Sequence, residues 1–162
     1  MALTTKQIYD LDNMNEASRL AGGLGTIVNG LEGGTTGNLR EINQTVLFSE
    51  FTDGGAAVGT FTLTDGTIPA KATVLASAVT AVVGFTGDTS AVLTIGDGTT
   101  VARYNTGTIN VFATAADGIA TGAVSGVAYH AAGKSVVLTV TSATDFTAVV
   151  AGSVTVRITY LL

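Results

Sequence analysis

From residue 44 onward, apolar and polar residues alternate at short range. Val154, Val156, Ile158 and Tyr160 fall on one side of an extended chain, and Thr155, Arg157 and Thr159 on the other. Val136, Leu138 and Val140 alternate with Val137, Thr139 and Thr141 in the same way. A period of two marks a half-buried strand, because successive side chains point to opposite faces of a sheet. The pattern predicts strands at about 44–51, 58–64, 71–84, 89–95, 100–104, 107–112, 120–128, 134–142 and 153–161. Thr64-Asp65-Gly66, Gly87-Asp88, Gly96-Asp97-Gly98 and Ala132-Gly133-Lys134 punctuate them as turns, since Gly and Asp accept backbone conformations that β-branched residues resist. Short strands at this spacing predict an all-β, antiparallel β-sandwich or jelly-roll-like domain over residues 44–162, with a small barrel as the other outcome. The order of the strands is not contained in the pattern.

Residues 1–43 differ in kind and read as an N-terminal arm containing short helices. Asp12 or Asn13 can cap a first helix, with Glu16 completing a capping box after Asn13 and Gly22-Gly23 ending it. Leu24, Ile27, Val28 and Leu31 then form one apolar stripe at helical spacing, broken by the glycines that follow Glu32. Helices this short are marginal alone, so they must dock, either on their own β-domain or on a neighbouring subunit. The stripe is the expected partner contact.

Composition sharpens the picture. Hydrophobic residues make up 46% of the 162 positions and charged residues 12%, about half the usual charged share. So few charges leave a free monomer poorly covered, which points to a surface completed by partner subunits. A net charge of -5 with seven scattered basic residues argues against nucleic acid as a partner. Without cysteine, neither disulfides nor thiolate metal sites hold the fold. Met1–Asp10 lacks the pattern of a signal peptide, and Ala72–Phe85 is too short and interrupted for a membrane helix, so no membrane partner is expected.

Candidate chemistry is sparse. His130 is the sole histidine, before the Ala132-Gly133-Lys134 turn, and reads as a loop or subunit-contact residue. Gly122-Ala123-Val124-Ser125-Gly126 has the wrong spacing for a nucleophile elbow. Asp53, Asp65, Asp88, Asp97, Asp117 and Asp145 sit beside Gly or Thr, nearly all in turns, where a carboxylate bonds nearby backbone. A glycosidase pair would bring aromatic platforms, and the chain has no tryptophan. Gly87-Asp88-Thr89 and Gly96-Asp97-Gly98 offer oxygen ligands for calcium but lack the EF-hand pattern. Gly22-Gly23-Leu24-Gly25 follows a helix and lacks the Lys-Ser/Thr of a phosphate loop. No catalytic, cofactor-binding or metal-ligating residue is assigned, and the chain is read as a non-enzyme.

Within Val58–Thr106, a strand ending Gly-Thr-Phe-Thr-Leu-Thr-Asp-Gly-Thr-Ile-Pro-Ala leads through a long small-residue strand to Phe85-Thr86-Gly87. Ser90-Ala91-Val92-Leu93-Thr94-Ile95-Gly96-Asp97-Gly98-Thr99 and Ala102-Arg103-Tyr104 follow. This order of strands and turns resembles the capsid decoration, or cement, proteins of tailed bacteriophages. The resemblance implies a homotrimer on the virion exterior, made in the bacterial host cytoplasm and clamping adjacent major capsid protein subunits. It carries no short motif from which a binding residue could be transferred. Phage tail and fibre modules reuse similar sandwiches, so the competing reading is a tail-spike or fibre module that binds host surface polysaccharide.

Overall fold

The computed structural model describes residues 38–113, 116–120 and 128–162, the backbone alone for 116–120. Nine strands follow in chain order: β1 (Leu39–Leu47), β2 (Thr52–Asp53), β3 (Val58–Thr62), β4 (Thr73–Thr86), β5 (Ala91–Gly96), β6 (Ile109–Asn110), β7 (Ala116–Ala120), β8 (Val137–Ser142) and β9 (Ala151–Leu161). They form two antiparallel sheets, a first of order β1-β9-β4-β7 and a second of order β2-β3-β8-β5-β6. The antiparallel β-sandwich expected from the alternation is present.

Each sheet turns its apolar parity inward. The first contributes Ile42 and Val46 from β1, Val79, Val82 and Phe85 from β4, and Val154, Val156, Ile158 and Tyr160 from β9. The second contributes Leu93, Ile95, Leu138 and Val140 to the same buried cluster. Burying each such side chain contributes roughly 1.5–3 kcal/mol, so the alternation itself sets which face is wet. Phe51 joins the two layers, its ring centroid 6.0 Å from Phe61 on β3 and 6.0 Å from Phe85 on β4. One side of the sandwich is closed by the 64–66 loop, where Gln44 Oε1 accepts from the amides of Thr64 and Asp65 at 2.8 and 3.0 Å.

Several expected strands shift. The first begins at Leu39 rather than 44, within the stretch assigned to the arm, and ends in a 3-10 turn at Phe48–Glu50. β2 was not anticipated, and the strand expected at 107–112 contracts to two residues. The strand expected at 100–104 is a turn. The Asp97 carboxylate gathers the amides of Thr99 and Thr100 and faces Arg103, which folds this segment back. Of the strand expected at 120–128, only Ala120 is strand, as the last residue of β7, Ala128 is not, and 121–127 lie outside the described residues. Both arm helices also lie outside them.

Candidate functional site

Two features gather the side chains that could matter beyond folding: the outer face of the first sheet and a polar cluster beneath its far edge. The outer face follows from strand register. One end aligns Leu39 of β1, Leu161 of β9 and Thr73 of β4, with Tyr129 bridged to Thr73. The other aligns Leu47, Ser153 and Val83. Leu39, Leu47, Val83 and the adjoining Val150 are 64%, 52%, 61% and 62% exposed. Leu75, Tyr129 and Leu162 are also exposed, so seven of the eight exposed large apolar residues among those described belong to this sheet or its ends.

Between these ends the outward positions are small or neutral: Ala76, Ala78 and Ala81 on β4, Thr155 and Thr159 on β9, Asn43 and Thr45 on β1. Among described side chains, the charges at outward strand positions are Glu41 and Arg157, 3.8 Å apart. Such an exposed pair adds little stability, but its two charges offset each other; the backbone register also sets Asp117 of β7 opposite the outward Ala81. Thr45 and Thr155 also hydrogen-bond each other through their hydroxyls at 2.8 Å. Polar groups already partnered lose little when water is stripped away, so this face is cheap to cover.

The second feature contains most of the titratable chemistry. Asp97, its side chain 1% exposed, faces Arg103 Nε at 2.8 Å and Lys134 Nζ at 3.7 Å. The Arg103 contact is an ion pair rather than an aligned hydrogen bond, since neither Asp97 Oδ2 nor Arg103 Nε has a hydrogen-bond partner. Asp97 Oδ1 accepts from Thr99 N at 3.0 Å and Thr100 N at 2.8 Å. Burial pushes the carboxyl pKa up, but these amides and the two cations outweigh it and hold the value below the ordinary 3.8. Nearby, Tyr104 Oη lies 3.0 Å from His130 Nε2, with the rings edge to face. Burial first, then the Asp97 charge, raise the phenol to about 12 against the opposing effect of Arg103. Ser77 Oγ donates to the Tyr104 carbonyl, and Asn105 Oδ1 accepts from Ile95 N at 2.8 Å.

His130 lies outside any strand, just before the turn, as the loop reading expected, but it is buried at 5% exposure and so is not presented for a subunit contact. Its backbone exchanges hydrogen bonds with Lys71 and Ala72, which draws the connecting segment under the sheet. This cluster has the character of a structural lock: its groups bond each other.

Burial depresses the His130 pKa, reinforced by Arg103 and Lys134 and opposed by Asp97. With the folded value below the ordinary 6.5, the unfolded chain takes up a proton first as pH falls. The His130 contribution is therefore whole above about pH 6.5 and is lost progressively below it, at up to about 1.4 kcal/mol per pH unit. Thermal melts from pH 8 to 5 should show this loss. A His130→Gln variant should flatten it, and an unchanged slope would remove His130 as its source.

The stripe Leu24, Ile27, Val28 and Leu31 lies outside the described residues. Among the carboxylates, Asp53 Oδ1 accepts from Gly55 N, Asp88 binds the amides of Thr89 and Thr144, and Asp145 caps the turn at Phe146–Ala148. Asp53 and Asp145 serve local backbone, as the turn reading expected, whereas Asp88 also ties its turn to Thr144, 56 residues on. Asp117 is an exception and lies in β7. No three His, Cys, Asp or Glu side chains among the described residues converge to hold a metal. The exposed leucines and valines of the outer face were missed. Their signal was faint: Leu39 and Leu47 break the parity of Ile42, Gln44 and Val46, leaving apolar residues on both faces of β1.

No protein-family profile matches the chain, and no curated protein matches its sequence. Its structure is similar to a chain of the cyanophage Pam1 capsid asymmetric unit, with a TM-score of 0.54 and 24% identity over 80% of this chain and 88% of that one. This likeness is one of fold.

Proposed function

We propose that this chain is a non-enzymatic structural component of a bacteriophage particle. It sits on the outside of the capsid as an oligomer and stabilises it by binding between major capsid protein subunits. The observation that carries the reading is the low-charge outer face that β1, β9 and β4 form in the first sheet, with its two apolar ends. The likeness in fold to a chain of a phage capsid supports it.

Strand order supports a jelly-roll wind. With the two-residue β2 set aside, the remaining eight strands run first, eighth, third and sixth in one sheet and second, seventh, fourth and fifth in the other. Jelly rolls serve viral capsid and lectin domains alike, so the surface has to separate the two uses. Glycan sites present exposed aromatic rings. Here Tyr104 and Tyr160 are buried, and Tyr129 is the exposed tyrosine among those described. Aliphatic ends flanking Ala and Thr suit a flat protein surface better than a sugar.

Attachment would be additive. Each copy in an oligomer makes weak contacts, and linking them raises avidity without any single strong site. Phage heads stripped of this protein should rebind it saturably and regain resistance to heating. Val83→Lys should weaken that rebinding about tenfold, roughly 1.4 kcal/mol, with an unchanged melting temperature. Specific binding on a glycan array with no binding to heads would favour the fibre reading instead. The threefold assembly implied by the resemblance competes with the twofold one argued next.

A further inference from the structure

We propose that β1 pairs antiparallel with β1 of a second copy, about a twofold axis passing through Asn43. β1 is an edge of the first sheet. One side of the strand is fully paired with β9, and among the described residues its other side receives no backbone hydrogen bond. The 64–66 loop contacts Ile42 and Gln44 on the inner face instead. An open edge of nine residues is a template for another strand.

Proteins that keep such edges single usually guard them with lysine, proline or a bulge. β1 has no lysine, proline or bulge, and it pairs with β9 without a register shift; its two charges, Arg40 and Glu41, both lie near one end and leave Ile42–Leu47 without a charge. The second sheet ends instead in the two-residue strands β2 and β6, too short to recruit a partner.

Self-pairing has one register that uses the whole strand. Centred on Asn43, it sets Leu39 opposite the partner's Leu47, Glu41 opposite the partner's Thr45 and Asn43 opposite the partner's Asn43 on the outer face. On the inner face, Arg40 meets the partner's Val46 and Ile42 the partner's Gln44. No like charges stand opposed, and the exposed leucines meet in two symmetry-related Leu39–Leu47 pairs. Moving the axis by one residue keeps the faces matched but sets Leu39 against the partner's Thr45, or Leu47 against the partner's Glu41. Either shift gives up the leucine pair and two strand positions. In the favoured register the apolar pair of Leu161 and Leu39 continues into the partner's Leu47, beyond which the partner's Ser153 separates it from the partner's Val83, making one eight-stranded sheet.

The test does not depend on the virion reading and uses the full-length protein, which lacks native cysteine. Light scattering at micromolar concentration should give an even multiple of the 16.2 kDa chain. Asn43→Cys should oxidise rapidly to a covalent dimer, because the two Cβ atoms face each other across the axis. Thr45→Cys should not, since its two copies would be about 13 Å apart along the strands. A Leu39→Lys/Leu47→Lys double variant sets lysine against lysine and should weaken the dimer at least tenfold. A monomeric or three-chain mass at every concentration, or equal crosslinking of the two cysteine variants, overturns the proposal. A dimer that ignores phage heads would leave it standing and sink the virion reading alone.

Discussion

Gly96→Ala should destabilise the fold by about 3 kcal/mol, the usual upper range for forcing extra atoms into a packed site. For a domain of this size that corresponds to a melting temperature lowered by roughly 10 °C. Gly96 ends β5, where the chain folds back so closely that a Cβ would stand 2.1 Å from the Thr100 carbonyl oxygen and 2.7 Å from the Val101 carbonyl. Both obstacles are backbone, so no side-chain rotation relieves them. The turn is pinned on either side by Asp97 N donating to Thr100 O and Tyr104 N donating to Ile95 O. Any shift that accommodates a methyl group therefore loosens the segment carrying Asp97, Arg103 and Tyr104. Gly107→Ala is the comparison. Its φ of +75° disfavours a side chain, but nothing lies within 4 Å, so its cost should stay near 1 kcal/mol. If the two variants melt alike, close approach at Gly96 is not what holds this turn.

That turn also shows where sequence stopped being informative. Alternation located β8 and β9 well, because each keeps one parity apolar and the other rich in threonine. Val154, Val156, Ile158 and Tyr160 are all buried as the pattern required. Thr-Val-Ala-Arg-Tyr at 100–104 has the same local character, yet it forms no ladder. The Thr100 amide is claimed by a carboxylate three residues earlier and the Tyr104 amide by the Ile95 carbonyl, and that competition depends on three-dimensional placement. β4 is long because register shifts at Leu75, Thr80 and after Val83 let it follow β9, and residues in a shift lose the simple parity. The proposed contact face was illegible for a related reason. An exposed Leu39 and a buried Ile42 look alike until register with β9 assigns each to a face. The low charge raised the expectation of a surface in need of cover, but nothing in the composition indicates which one. The loop position of His130 was legible from the turn that follows it, but a lone histidine there gives no sign of its burial or of the tyrosine it meets.

Asp97→Ala should cost about 3 kcal/mol, and Asp97→Asn about half of that. Removing one member of a fully buried ion pair costs roughly 3–5 kcal/mol, because the other charge is stranded. Here the Arg103 side chain is 20% exposed and Lys134 36%, so both cations can turn partly to water, which places the loss at the low end. Alanine also orphans the amides of Thr99 and Thr100, whereas the asparagine carbonyl can still accept from them. Acid behaviour separates the charge from the hydrogen bonds. The Asp97 contribution is complete above about pH 3.8 and fades as pH falls through its lower folded value, so Asp97→Asn should lose that step. The same substitution removes the one charge that supports protonated His130, leaving Arg103 and Lys134 beside it. The His130 pKa should then fall further while its unfolded value stays put. The loss that begins near pH 6.5 would continue to lower pH and grow in total. Proton uptake followed by NMR titration of the His130 ring in both proteins checks this coupling. An identical imidazole pKa in the two would mean that Asp97 and His130 are electrostatically independent, and that the cluster is two separate contacts rather than one lock.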